Sequence, residues 1–191
     1  MLARTVLALS LAVRVYDNTG LPPADRAVAL AAAHAILRNA GIAVTWREDN
    51  AVPAPEDVIV RIVTAPAEML PGSLGFSLID VERRSGTLAT VYADRVAELA
   101  AVSSADPGRL LGRAMAHEIG HLLLGTTRHA DRGLMRGVWT SVELHREQPS
   151  DWSLSRKDAA GLRRGLIARL RRPEQPDTLV ARKKSDRGEG S

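Results

Sequence analysis

A chain of 191 residues with 45% hydrophobic and 25% charged side chains has the usage of a soluble globular protein and enough length to enclose one core. It has no cysteine, so disulfide frameworks and thiolate metal sites are excluded, and any ion must be held by imidazole or carboxylate. The formal charge of +4 sits at the end: residues 163–191 carry nine Lys and Arg against four Asp and Glu, leaving 17 against 18 before them. With aromatic residues at 3%, the basic, ring-bearing face that nucleic acids require is missing.

In chain order, the start up to Ala12 resembles a secretion signal in having one basic residue and a short apolar run. No polar cleavage region follows. The run leads instead into the alternating Val13-Arg14-Val15-Tyr16-Asp17, so a first strand is expected; the compartment, secreted or periplasmic included, is not fixed by this segment. No run reaches the roughly 18–20 apolar residues that cross a membrane.

Asn18 to Pro23 reads as a turn, and Ala24 to Asn39 as a helix ended by Gly41, with Ala27, Val28, Leu30, Ala31, Ile36 and Leu37 forming a broad apolar face. His34 lies in it without a partner at ligand spacing and is expected to be structural. Ile42 to Trp46 predicts a second strand, parallel to the first through a right-handed crossover. After a Pro-rich and acidic loop, the β-branched run Val58 to Val63 predicts a central strand. Phe76 to Ile79 reads as an edge strand, and Thr87 to Tyr92 as the last strand.

Asp106 and Pro107 then open a long helix, Asp106 as its cap and Pro107 at its first position, running to Leu124. It contains His117-Glu118-Ile119-Gly120-His121. Residues four apart share one helical face, so both imidazoles can reach one ion with Glu118 beside them, which is the H-E-x-x-H zinc arrangement. A catalytic zinc takes three protein ligands. His129 is the expected third, because Gly125 can take the left-handed conformation that turns the chain back; Asp131, Glu143 and His145 are the alternatives. Residues 126–154 carry few periodic signals, and Ser155 to Arg171 predicts a closing helix. From Pro173 the composition is polar and basic, and residues 173–191 are expected to be a disordered tail to a single domain of residues 1–172.

The zinc segment, followed by Gly133-Leu134-Met135, resembles the metzincin pattern of H-E-x-x-H-x-x-G-x-x-H and a Met-turn. The link departs from that pattern: Gly125 is four residues after His121 and His129 four after Gly125, two residues longer in all. The resemblance implies an α/β (α+β) catalytic domain with a twisted mixed sheet, a back helix, a zinc-bearing helix and a C-terminal helix. It also implies zinc held by His117, His121 and His129, with Glu118 activating a zinc-bound water for peptide-bond hydrolysis. A peptide substrate would pair with an exposed strand around Phe76 to Leu78 or Thr87 to Val91, and a monomer is expected. Two other readings are a zinc protein of the same fold without protease activity, and a peptide-binding module that uses an exposed edge strand.

Overall fold

Runs of Val, Ile and Leu produce five strands in the computed structural model, which describes residues 9–47, 52–68, 72–146 and 148–171. They are β1 (Leu9–Asp17), β2 (Ile42–Arg47), β3 (Val58–Val63), β4 (Gly75–Asp80) and β5 (Ser85–Tyr92), joined in one sheet of order β2-β1-β3-β5-β4. β1 is parallel to β2 and β3, and β3 is parallel to β5, while β4 runs antiparallel to β5 at the edge. The β-branched β3 takes the central place that its composition predicts. β1 begins four residues ahead of the expected strand, extending back to Leu9 to pair with Ile42. The expectation for the tail at 173–191 lies outside the described residues, as does the beginning of the signal-like start.

The helices are α1 (Pro23–Asn39), α2 (Ala93–Ser103), α3 (Pro107–Leu124), α4 (Ser141–Arg146) and α5 (Arg156–Leu170), with a short 3-10 turn at Pro149–Trp152. α2 and α4 are not expected from the sequence. β5 passes straight into α2 at Ala93 with no linker, and Tyr92 at its cap position makes no side-chain hydrogen bond to mark the start. α4 is only six residues long. No helix among the described residues is long and apolar enough to cross a membrane.

Everything that positions the candidate site meets at α3, which touches α1, α2, α5, β3, β4 and β5. Fifteen of its 18 residues are buried, so it has almost no solvent face. Asp106 caps it by accepting from the Arg109 amide at 2.6 Å, as its sequence predicts. Close approach is made possible by small residues: a Cβ on Gly112 would stand 2.8 Å from the Ala32 Cβ and against the Ala29 carbonyl of α1, and one on Gly165 of α5 would run into the Leu123 carbonyl.

On β1, Arg14 is 2% exposed and its Nε donates to Asp57 Oδ2 at 2.8 Å, while the same oxygen accepts from the Ala54 amide. This buried pair ties the loop ahead of β3 to the sheet. Two paired edges leave β5 with no free edge, so Thr87 to Val91 is not the exposed strand that was one of the two expected. Among the described residues β4 pairs with β5 alone and holds the other, Phe76 to Leu78, at the border of the sheet.

Candidate metal centre

The spacing of four on α3 sets His117 and His121 one turn apart, with Nε2 atoms 3.0 Å from each other. Each ring is held from behind. His117 Nδ1 donates to the Leu134 carbonyl at 2.8 Å and His121 Nδ1 to the Thr126 carbonyl at 2.7 Å. A carbonyl only accepts, so each Nδ1 carries the proton and each Nε2 presents a lone pair. Two lone pairs facing at 3.0 Å repel unless a cation lies between them.

The third imidazole comes from the loop after α3. Gly125 ends the helix with φ 61°, and a Cβ there would fall 2.8 Å from the Arg84 Cα, so glycine is required on both conformational and steric grounds. The chain then turns back, and Ala130 donates to the Met135 carbonyl at 2.8 Å, closing the loop behind His129. The His129 ring lies 5.3 Å from that of His117 and 4.9 Å from that of His121, centroid to centroid. One ligand atom from each of the three histidines lies within 4.8 Å of the others. The two extra residues of the link are absorbed without losing the approach. Gly137 backs His129, since a Cβ there would stand 3.0 Å from the ring's Cγ.

Among the described residues these three histidines form the group able to hold an ion. Asp131 and His145 are exposed and outside it. Glu143 is engaged elsewhere: its Oε2 accepts from the Thr140 amide and hydroxyl at 2.8 and 2.6 Å, and it pairs with Arg136. His34 lies half-buried on α1, as a structural histidine would. Neutral nitrogen donors of fixed tautomer suit a borderline divalent cation such as zinc, whose ligands at about 2.0–2.1 Å in a tetrahedron would stand roughly 3.3 Å apart.

Glu118 is 7% exposed, and its Oε2 accepts from Ser77 Oγ at 2.7 Å. The same hydroxyl also lies 2.9 Å from the Glu118 carbonyl, tying β4 to α3 at the carboxylate. Gly75 completes the approach, because a Cβ there would stand 3.2 Å from Glu118 Oε1. Burial pushes the Glu118 carboxyl up to about 7, against the Ser77 hydrogen bond that lowers it. Burial likewise pushes His117 down to about 4 and lowers His121, while the hydrogen bonds to Leu134 and Thr126 oppose the change. The surroundings thus favour neutral imidazoles and a carboxyl able to exchange a proton near neutrality.

Met135 is 2% exposed and packs on α3, where a Cβ on Gly120 would lie 2.6 Å from its sulfur. Trp139 stands edge-on to His117 at 5.8 Å and to Trp152 at 5.3 Å, and the Arg113 guanidinium covers Trp152 at 3.9 Å. Tyr92, buried at the end of β5, tilts against Phe76 at 6.2 Å. Ser77, Gly137 and Trp139 are site neighbours that sequence reasoning does not reach. Only Ser77 carried a signal, as the residue between Phe76 and Leu78 in a two-residue period.

The architecture is a mixed α/β fold with a five-stranded mixed sheet and helices. It is similar to archaemetzincin from Methanopyrus kandleri, at a TM-score of 0.56 and 14% identity over 85% of this chain and 99% of that one. It is also similar to a zinc-dependent peptidase from Methanocorpusculum labreanum, at a TM-score of 0.54 and 14% identity over 78% of this chain and 99% of that one. No protein-family model matches the sequence, and a search of curated proteins finds no match.

Proposed function

We propose that the chain is a zinc-dependent peptidase in which His117, His121 and His129 hold the ion through their Nε2 or equivalent ring nitrogens and Glu118 is the general base. The observation that carries this reading is the pair of facing lone pairs on His117 and His121, joined by a third imidazole within 4.8 Å, with a buried carboxyl on the adjacent residue. Likeness in fold to a zinc-dependent peptidase supports it. Zinc, when bound, polarises a carbonyl and acidifies water.

The chain's own residues would supply the rest. Glu118 accepts the proton of the attacking water and returns it to the leaving amine, from a buried position on the residue next to His117. Ser77 fixes the carboxylate rotamer through Oε2. The outer border of β4 offers backbone groups to an extended peptide, whose scissile bond would then lie over Glu118. Met135 beneath Gly120 serves as the floor of the site in the manner of a Met-turn.

The test is metal analysis together with cleavage of an unstructured protein. The purified chain should contain zinc and cut the substrate, a chelator should stop cleavage, and added zinc should restore it. Glu118→Gln should keep its zinc and lose activity by about 10²-fold or more. Wild-type cleavage by that variant would rule the mechanism out.

A further inference from the structure

His129 faces two environments. One is the imidazole cluster, and the other is a cleft of about 1190 Å³ bounded by the β4–β5 turn, the end of α3, the loop around His129, and α5. The cleft is lined by Arg83 and Arg84 from the turn, Arg128 and Arg132 on either side of His129, and Lys157 and Arg164 from α5, all of them exposed. Arg169, also in the lining, is buried and donates to the Gly86 carbonyl. Two acids line the cleft beside these seven cations, Asp131 and Asp158, and Asp158 accepts from Ser155 Oγ at 2.6 Å at the start of α5; Arg83 is paired at 3.0 Å with a third, Asp80, on its own turn, so the excess of positive charge rests mainly on Arg84, Arg128, Arg132, Lys157 and Arg164.

Such a concentration of one sign is not a property of the whole chain, which carries 26 basic against 22 acidic side chains. It is assembled from three separate elements that fold together around one hollow. The turn that brings two of the arginines is itself constrained. Arg84 has φ 47°, a left-handed conformation that a residue with a Cβ adopts at a cost, and its backbone packs on Gly125, the residue that ends α3. The same glycine contact therefore fixes the arginine turn and launches the loop that carries His129.

A hollow walled by cations focuses their field and concentrates anions within it. The lining contains no Phe, Tyr or Trp to stack on bases, which disfavours single-stranded nucleic acid. The geometry points to an acidic polypeptide segment as the occupant: the peptide substrate places a run of Asp or Glu in this cleft while its backbone crosses the imidazole cluster at His129. This deepens the peptidase reading above and rests on it for the word substrate. The preference it implies is set by the cleft rather than by the residues that hold the ion.

The experiment measures binding of a fluorescently labelled octaglutamate by anisotropy on the zinc-loaded full chain, next to a Gly-Ser peptide of equal length. Octaglutamate should bind about tenfold more tightly or better, with affinity falling steeply as salt rises. The double reversal Arg128→Glu with Lys157→Glu should lose that binding by about tenfold or more while keeping its zinc content and thermal midpoint. The charge-matched double reversal Arg38→Glu with Arg47→Glu, on α1 and β2 away from the cleft, should bind as wild type does. Equal binding of the two peptides, or equal loss in both double variants, would overturn the assignment, as would tighter binding of oligothymidylate or inorganic phosphate than of octaglutamate. Octaglutamate binding by a zinc-loaded chain that cleaves no peptide would overturn the peptidase reading and leave the cleft's choice of an acidic segment standing.

Discussion

His129 is the exposed member of the cluster, while His117 and His121 are 7% and 4% exposed. Its position depends on a loop closed by one Ala130 to Met135 hydrogen bond and on the space left by Gly137. Two imidazoles alone make a weak site, so His129→Ala should lower zinc affinity by about 10²-fold or more, read by competition with a chromophoric chelator. Retention of full affinity would hand the third position to another residue. At this scale much was legible. The H-E-x-x-H spacing is a property of one helix, so His117, Glu118 and His121 can be placed from sequence alone. Ser77 and Gly137 are not placed by sequence: Ser77 acts on a carboxylate 41 residues away, and Gly137 meets His129 through the folding of an irregular loop that carries no periodic signal.

Helix α3 joins the site to the rest of the molecule through backbone-close contacts. Gly112 meets α1 at Ala29 and Ala32, so even one added methyl has to push the two helices apart. Gly112→Ala should destabilise by about 1–3 kcal/mol, measured by urea unfolding, and an unchanged midpoint would mean that the helices are not held at this distance. The predicted elements that matched best have local signals, such as the Asp106-Pro107 start and Gly125 stop of α3, and Ser155 at the head of α5, which accepts from the Asp158 amide. α2 is not legible in the sequence because a strand feeding directly into a helix carries no turn chemistry between them. The choice between Phe76 to Leu78 and Thr87 to Val91 as the free edge depends on strand order, and strand order is set by pairings between distant segments.

Across the whole molecule, the titrating groups of the site give opposed pH dependences in the metal-free chain. His117, lowered from 6.5 to about 4, binds a proton in the unfolded chain before it does in the folded one, so its contribution to stability is present above pH 6.5 and lost as pH falls toward 4. His121 acts in the same direction. Glu118 is raised from 4.5 to about 7, so its contribution is present below pH 4.5 and lost as pH rises toward 7. Glu118→Gln removes only the second slope. The thermal midpoint of the metal-free variant, relative to metal-free wild type, should therefore climb between pH 4.5 and 7; a flat difference would mean that the carboxyl is not buried as described. Zinc at a hundredfold excess over its Kd should add about 2.7 kcal/mol, a rise in midpoint of roughly 5–10 °C for a chain of this size, reversed by a chelator.

A helix sheathed on nearly every side has a consequence for how the molecule breathes. Deuterium should enter the amides of Leu110 to Leu123 last, at the rate of global opening, while the turn carrying Arg83 and Arg84 and the segment from Thr126 to Thr140 exchange through small local excursions. The two rings on α3 would then sit on the stillest part of the chain, and the ring on the loop on one of its most restless, so an ion would be gripped from below and clasped or released from one side.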